Sequence, residues 1–288
     1  MNQTPLYPLR FDPIYQYRLW GGRHLANLLS TPLPGDGPIG EAWLQSDRSD
    51  HQRLDANGPL KEQSIGQLMG QFREQLMGKL ASRFIRFPLL LKFLDAHEML
   101  SVQVHPSDAH PELIPAGDTA KTEAWVVIKA EKGSHIYAGL RSDTTAGTLR
   151  KSLDDETIAD HLVCIAPKPG DAVFIPAGTV HTLGNDIVVF EVQQDSDVTF
   201  RLYDWGHVDS KTKKPRPLQV DQAFACIDFG ASDGGLVAAR VETTVPVERE
   251  RLLIVLHSCC GDCLARSRSL LEPQQSRGCW FVSKAQVR

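Results

Sequence analysis

No apolar run in this chain of 288 residues approaches the roughly 18 residues a membrane-spanning helix requires. The opening stretch "MNQTPLYPLRFDPIYQYRLWGG" has neither the basic start nor the apolar stretch of a secretion signal, so a cytoplasmic protein is expected. No charge sign dominates either. Thirty-one Lys and Arg against 35 Asp and Glu leave a net charge of -4, which gives no reason to expect nucleic acid or an anionic membrane as partner. An anionic ligand would need positive charge supplied locally. Six cysteines are too few for a disulfide scaffold. Four of them, Cys259, Cys260, Cys263 and Cys279, cluster late, and "CCGDC" holds a C-x-x-C spacing. No second pair follows at a zinc-finger offset, so chance clustering or buried thiols are expected there rather than a structural zinc site. Internal repeats and low-complexity segments are also lacking.

The content that remains, 42% hydrophobic and 23% charged, is that of an ordinary globular protein with ample core. The first 40 residues, rich in Pro, Gly and aromatics, read as irregular structure. Strand-like runs follow: "IGEAWLQS" (39 to 46), "PLLLKFLDA" (88 to 96), "MLSVQVHP" (99 to 106), "KTEAWVVIKA" (121 to 130), then "DAVFIPA", "TVHTLG", "IVVFEVQQ", "VTFRLYDW" and "VERERLLIVLHSC". Helical spacing predicts a helix over 64 to 84, with Ser64 as its N-cap and Ile65, Leu68, Met69, Phe72, Leu76 and Leu80 on one face. Further helices are predicted over 145 to 162 and 217 to 229. Many short strands with regular turn signals predict a mainly β protein, an antiparallel sandwich or barrel. The helices are segregated rather than alternating with strands, which argues against a parallel α/β sheet.

Strand periodicity then sorts the polar residues. Positions two apart share a face, so Ser101, Gln103 and His105 look one way while Val102 and Val104 look the other. Lys121 pairs with Glu123 in the same manner, and Thr199 with Arg201. Any one of these alone is accounted for by a solvated strand face. A barrel interior that collected Gln103, His105, Glu123 and His181 would instead offer two imidazoles, a carboxylate and an amide oxygen to a divalent metal, Zn²⁺ or Fe²⁺. Lys92 stands in an apolar run, "LLLKFL", where an unpaired charge is costly. A phosphate, or an acidic neighbour such as Asp95 or Glu98, would supply its partner. Trp43 and Trp125 read as core, and Glu191, Asp197 and Asp204 as ordinary strand polars, with support of the metal ligands as the alternative.

The run "GDAVFIPAGTVHTLGN" weights the collected reading. Its spacing of Gly170, Pro176, Gly178, His181 and Asn185 matches the second cupin motif, and Gln103-x-His105 with Glu123 resembles an altered first motif. Together with "KTEAW", "QVHP" and "FEVQQDSDVTFRLYDW", these segments resemble type I mannose-6-phosphate isomerase, in its short bacterial form, over roughly residues 5 to 230. The resemblance implies a cupin, jelly-roll-like β-barrel with helical insertions, and one Zn²⁺ per chain (or another divalent metal) on Gln103, His105, Glu123 and His181. It implies isomerisation of mannose 6-phosphate and fructose 6-phosphate through a cis-enediol, with Arg201 and Lys121 catalytic. It also implies substrate binding by Lys92 and Ser101, a phosphorylated hexose as partner, and a monomer or homodimer.

Arg201, always protonated, suits an electrostatic clamp, and Lys121 beside a cation is eligible as a base. Two other readings stay open. An iron-dependent cupin dioxygenase would use a richer histidine set. A non-catalytic cupin that binds a sugar phosphate would not need Arg201. The chain also departs from the family in two places. His207 stands where a basic residue is usual, with Lys211, Lys213, Lys214 and Arg216 following as a basic turn. From about Cys259 the sequence does not read as the strands of a second cupin-like domain. The expected organisation is therefore a catalytic cupin domain over 1–230 and a smaller, divergent or truncated C-terminal β region over 231–288.

Overall fold

The computed structural model describes residues 6–230, 235–237, 240–244 and 247–251. The tail cluster of Cys259, Cys260, Cys263 and Cys279 lies outside the described residues; of the strand expected in "VERERLLIVLHSC", only Val247–Arg251 is described, and it is extended. Two antiparallel sheets face each other. The first sheet holds β1 (Ile14–Gln16), β2 (Glu41–Gln45), β3 (Leu89–Ala96), β5 (Glu123–Ala130), β8 (Ala172–Ile175), β10 (Ile187–Gln194) and β12 (Gly235–Val237), in the order β1-β2-β3-β10-β5-β8-β12. The second holds β4 (Val102–Val104), β6 (Ile136–Leu140), β7 (Leu162–Ile165), β9 (His181–Leu183) and β11 (Phe200–Tyr203), in the order β11-β4-β9-β6-β7. A separate hairpin pairs β13 (Arg240–Thr244) with β14 (Val247–Arg251). Among the described residues every strand pairing is antiparallel, as the segregated helices predict.

Strand alternation divides three apolar layers. Leu94, Trp125, Val127, Val173, Ile175 and Val189 from the first sheet meet Ile136, Ala138 and Leu183 from the second in one core cluster between them. The opposite-facing residues pack outward. Leu89 and Val192 receive the helix α1 (Ile65–Met77) through Leu68, Met69 and Phe72. Val102, Val104 and Leu202 receive α2 (Ala146–Asp154) and α3 (Val220–Cys226) through Leu149, Ala223 and Cys226. With helices covering the outward faces of both sheets, the polar residues of the inward faces are enclosed between them. Among the described residues, no helix is long and apolar enough to cross a membrane.

Each predicted helix is present but shorter than its periodicity suggests. α1 starts where expected: the Ser64 hydroxyl accepts from Gln67 N at 3.2 Å, and the Gln67 side chain returns to Ser64 N at 2.8 Å. It ends at Gly78, whose φ of 55° breaks the spiral, and only a short 3₁₀ turn continues to Leu80. Past α2, Glu156 takes a φ of 57° and separates that helix from a 3₁₀ turn over Ile158–His161. α3 begins three residues after Pro217 and stops when Ile227 becomes extended. Hydrophobic spacing runs through such breaks because 3₁₀ turns bury the same stripe. Ser64→Ala removes one half of a reciprocal cap, so it should lower stability by about 1 kcal/mol. Thermal melting should show this as a fall of about 2–4 °C in Tm.

Candidate metal centre and active site

β4 and β9 place Gln103 directly opposite His181, with Gln103 Nε2 3.2 Å from His181 Nε2. Amide oxygen and nitrogen exchange places by a half-turn of the side chain, so the same position offers Gln103 Oε1. His105 follows β4, and its Nδ1 lies 2.9 Å from Val198 O. His181 Nδ1 lies 2.9 Å from Thr179 O. A carbonyl only accepts, so both rings carry their proton on Nδ1 and present a bare Nε2 lone pair inward. The two lone pairs converge on one carboxylate: His105 Nε2 is 3.1 Å from Glu123 Oε1, and His181 Nε2 is 3.6 Å from Glu123 Oε2.

Burial and the nearby Lys121 charge push His105 down to about 3, and burial pushes His181 down as well, so neither ring gains a second proton to bridge the gap. Burial alone would raise Glu123, but Lys121 and His105 hold it well below the usual carboxylate range. The result is acceptors facing acceptors in a dry interior. His105 Nε2 and Glu123 Oε2 have no hydrogen-bond partner, and His105, Glu123 and His181 are each about 1% exposed or less. Buried acceptors in that arrangement are costly unless a cation sits among them. One ligand atom from each of the three lies within 4.8 Å of the others, and a backbone carbonyl steadies each ring from behind, the usual support of a metal-binding imidazole. The residues therefore fit a divalent ion, with Gln103 as an additional donor on the half-buried side.

Charged groups line the rest of the inner face. Lys121 Nζ is 2.8 Å from Glu123 Oε1 and only 3% of the residue is exposed. Arg201 on β11 donates from Nε to Ser101 Oγ at 3.2 Å and from an Nη to Pro217 O at 2.8 Å. Lys121 thus touches the cluster, and Arg201 stands opposite Gln103 in the β11–β4 register.

Lys92 is buried and 3.3 Å from Glu191 Oε1, its cross-strand partner in the β3–β10 register. Neither of the acidic neighbours suggested by the sequence pairs with it. Asp95, three residues on, faces the other way and accepts from His24 N at 2.6 Å. Burial opposes the Lys92 charge, but Glu191 and Glu41 raise its affinity for the proton.

Arg18 and Glu41 carry no signal of their own in the sequence, and Glu191 carries little. Glu41 accepts from Arg18 Nε at 2.9 Å, from Arg18 Nη2 at 3.1 Å and from Trp43 Nε1 at 2.6 Å. Glu191 accepts from Trp125 Nε1 at 3.2 Å, and burial together with the Glu123 charge pushes it up to about 8, against Lys92. Its place on an inner-face position of "IVVFEVQQ" is the only hint; an ordinary strand polar is not 1% exposed. Trp43 and Trp125 are core, as expected, at 1% exposure each, and the Trp125 ring also meets His181 edge-on at 5.6 Å. Asp204 is paired with Arg216 and with His207, 3.6 Å away, so the expected solvated turn holds for Lys213 and Lys214 but not for Arg216.

A two-sheet antiparallel barrel with a histidine–carboxylate–histidine cluster on its inner face defines a metal-binding protein of the cupin-like class. Comparison with known proteins narrows this. The family profile "Phosphomannose isomerase type I, catalytic domain" matches residues 9–126, a segment containing Gln103, His105 and Glu123. Mannose-6-phosphate isomerase ManA of Bacillus subtilis is 37% identical over 221 residues, covering 77% of this chain and 68% of that protein. The mannose-6-phosphate isomerase of Streptococcus mutans is 34% identical over 248 residues, covering 83% of this chain and 75% of that one. The crystal structure of the Bacillus subtilis mannose 6-phosphate isomerase superposes with a TM-score of 0.77 at 28% identity, over 86% of this chain and 76% of that one. The chain belongs to the type I phosphomannose isomerase family.

Proposed function

We propose that this protein interconverts mannose 6-phosphate and fructose 6-phosphate by moving a proton between C2 and C1 through a cis-enediol. The observation that carries the reading is the pair of inward Nε2 lone pairs converging on Glu123, with Lys121 and Arg201 beside them. Gln103, His105, Glu123 and His181 would hold one Zn²⁺, which supplies Lewis-acid charge to the sugar oxygens when bound. The chain's own groups do the rest. Arg201 keeps its proton throughout and offers fixed positive charge to the oxyanion that develops as the carbonyl shifts. Lys121 Nζ and the raised carboxyl of Glu191 are the two groups placed to hold or release a proton. Ser101 Oγ, fixed by Arg201, and the Lys92 charge contribute to substrate binding. The catalytic unit is the barrel within residues 1–230.

A coupled assay from mannose 6-phosphate to fructose 6-phosphate on zinc-loaded protein tests the reading, and no turnover with about one bound ion per chain would sink it. Arg201→Ala should lower kcat roughly a hundred- to a thousand-fold. Metal content should stay at the wild-type level, because the Arg201 guanidinium makes its hydrogen bonds to Ser101 and Pro217 and not to the four donors. Loss of metal in that variant would mean that Arg201 shapes the centre rather than the chemistry.

A further inference from the structure

The two walls that carry the metal ligands are joined by the connection between β10 and β11, residues 195–199. It leaves the first sheet at Gln194 and enters the second at Phe200, opposite Val104 on the strand that precedes His105. One of its carbonyls, Val198 O, is the acceptor that holds the His105 ring proton on Nδ1. The aim of the His105 lone pair therefore depends on where this connection puts Val198.

Gln193 braces that connection. It stands directly opposite Glu123 in the β10–β5 register, shares its inward face, and is 0% exposed. Its Nε2 donates to Gln194 O at 3.0 Å and to Ser196 O. Both partners are carbonyls, which only accept, so the nitrogen end of the amide faces the connection. Ser196, also 0% exposed, passes the constraint on: its N donates to Gln194 O at 2.7 Å, and its Oγ accepts from Val198 N at 3.3 Å. A series of hydrogen bonds thus runs from Gln193, beside one metal ligand, through Ser196 and Val198 to the ring of another.

The other end of the same amide argues against a role in stability alone. Among the described residues, Gln193 Oε1 has no hydrogen-bond partner. A buried acceptor left bare offsets much of what the two N–H bonds contribute, and an apolar side chain of similar size would avoid that cost. What an apolar side chain could not do is hold Ser196 O.

Resting on the metal-dependent reading of the site, we propose that Gln193 is a positioning residue of the metal centre. It fixes the His105 imidazole through Ser196 and the Val198 carbonyl, and so sets the affinity and geometry of the bound ion. Glu123 and His105 belong to opposite walls, and the amide ties their spacing, 3.1 Å between Oε1 and Nε2, to a hydrogen-bonded turn.

Metal binding, rather than turnover, tests this. Gln193→Leu removes both donors at nearly constant volume. Its zinc Kd, measured by competition with a chromogenic chelator, should rise about ten- to a hundred-fold. The absorption bands of cobalt(II) substituted at the centre should shift, while the metal-free variant should melt at the temperature of metal-free wild type. Ser196→Ala should weaken zinc in the same direction. The double variant should weaken it no further than the larger single change, because both act through Val198. An unchanged Kd and cobalt spectrum in folded Gln193→Leu overturn the proposal, as do fully additive losses in the double variant. A lower metal-free Tm with wild-type zinc affinity overturns it too, since that is the mark of a structural amide. If Gln193→Leu does not fold, Ser196→Ala decides: wild-type zinc affinity there overturns the proposal, and weaker binding supports it. Zinc binding without turnover in wild type sinks the isomerase reading and leaves this comparison intact, whereas a wild type that takes up no ion overturns both.

Discussion

His181→Ala should lose the bound metal and the isomerase activity together, with kcat/KM falling about a thousand-fold or more. The imidazole cannot be replaced from nearby. Its Nδ1 proton is fixed on Thr179 O, so Nε2 is the only lone pair it offers, and the opposite wall carries Trp125, whose indole N–H is already on Glu191. With His181 gone, the remaining donors are one nitrogen, one carboxylate and the Gln103 amide. An ion held by so few protein ligands exchanges readily, and losing a Lewis acid removes several kcal/mol of charge stabilisation from the reaction, each 1.4 kcal/mol or so being a factor of ten. Elemental analysis of purified variant and wild type, alongside the coupled assay, gives both readouts. Arg201→Ala is the control that separates them, since it should lose activity alone. A His181→Ala protein that retained one ion per chain would show that the ligand set is wrongly assigned. Retained activity without metal would remove the need for an ion altogether.

Much of this centre is legible along the sequence because strand geometry is simple. A period of two puts Ser101, Gln103 and His105 on one face, and the same rule collects Lys121 with Glu123. The Gly–Pro–Gly frame before His181 fixes a turn, and its Gly178 has a φ of 88° with Cys226 O 3.2 Å from where a Cβ would stand. What periodicity does not carry is register between distant strands. Lys92 meets Glu191 because β3 lies beside β10, 99 residues later in the chain, with Leu91 against Val192 and Leu90 against Gln193. Nothing local in "LLLKFL" points to that partner, whereas Asp95 is close in sequence and on the wrong face. Arg18 and Glu41 are hidden for the same reason: their contact joins an irregular segment to β2. Helix ends are less legible than helix faces, since Gly78 and Glu156 break the backbone without interrupting the apolar stripe.

The largest stability effect should come from Glu41, a residue outside the proposed metal ligands. Glu41→Ala should destabilise the fold by about 3–5 kcal/mol, the usual consequence of leaving buried opposite charge unpaired. The carboxylate is 7% exposed, receives both arms of Arg18 and the Trp43 indole, and faces the Lys92 charge. Burial by itself would raise its pKa; Lys92 and Arg18 overcome that and hold it at about 2, below its ordinary 4.5. A depression of that size corresponds to about 3 kcal/mol at neutral pH, in line with the cost of removal. The sign follows from which state binds the proton more tightly. Between 4.5 and about 2 the unfolded chain takes up the proton first, so the Glu41 contribution is complete above the ordinary carboxylate range and is lost as pH falls toward about 2. Wild type and Glu41→Ala should therefore differ by roughly 6–20 °C in Tm at pH 7, and their curves should converge on acidification below about pH 4.5. Glu41→Gln, which keeps the shape and an acceptor for Trp43 but not the charge, should lie between them at pH 7 and merge with wild type at the same acid end. Melting curves that stayed parallel from pH 7 to pH 3 would place the stabilisation in packing of the Glu41 side chain instead of its charge.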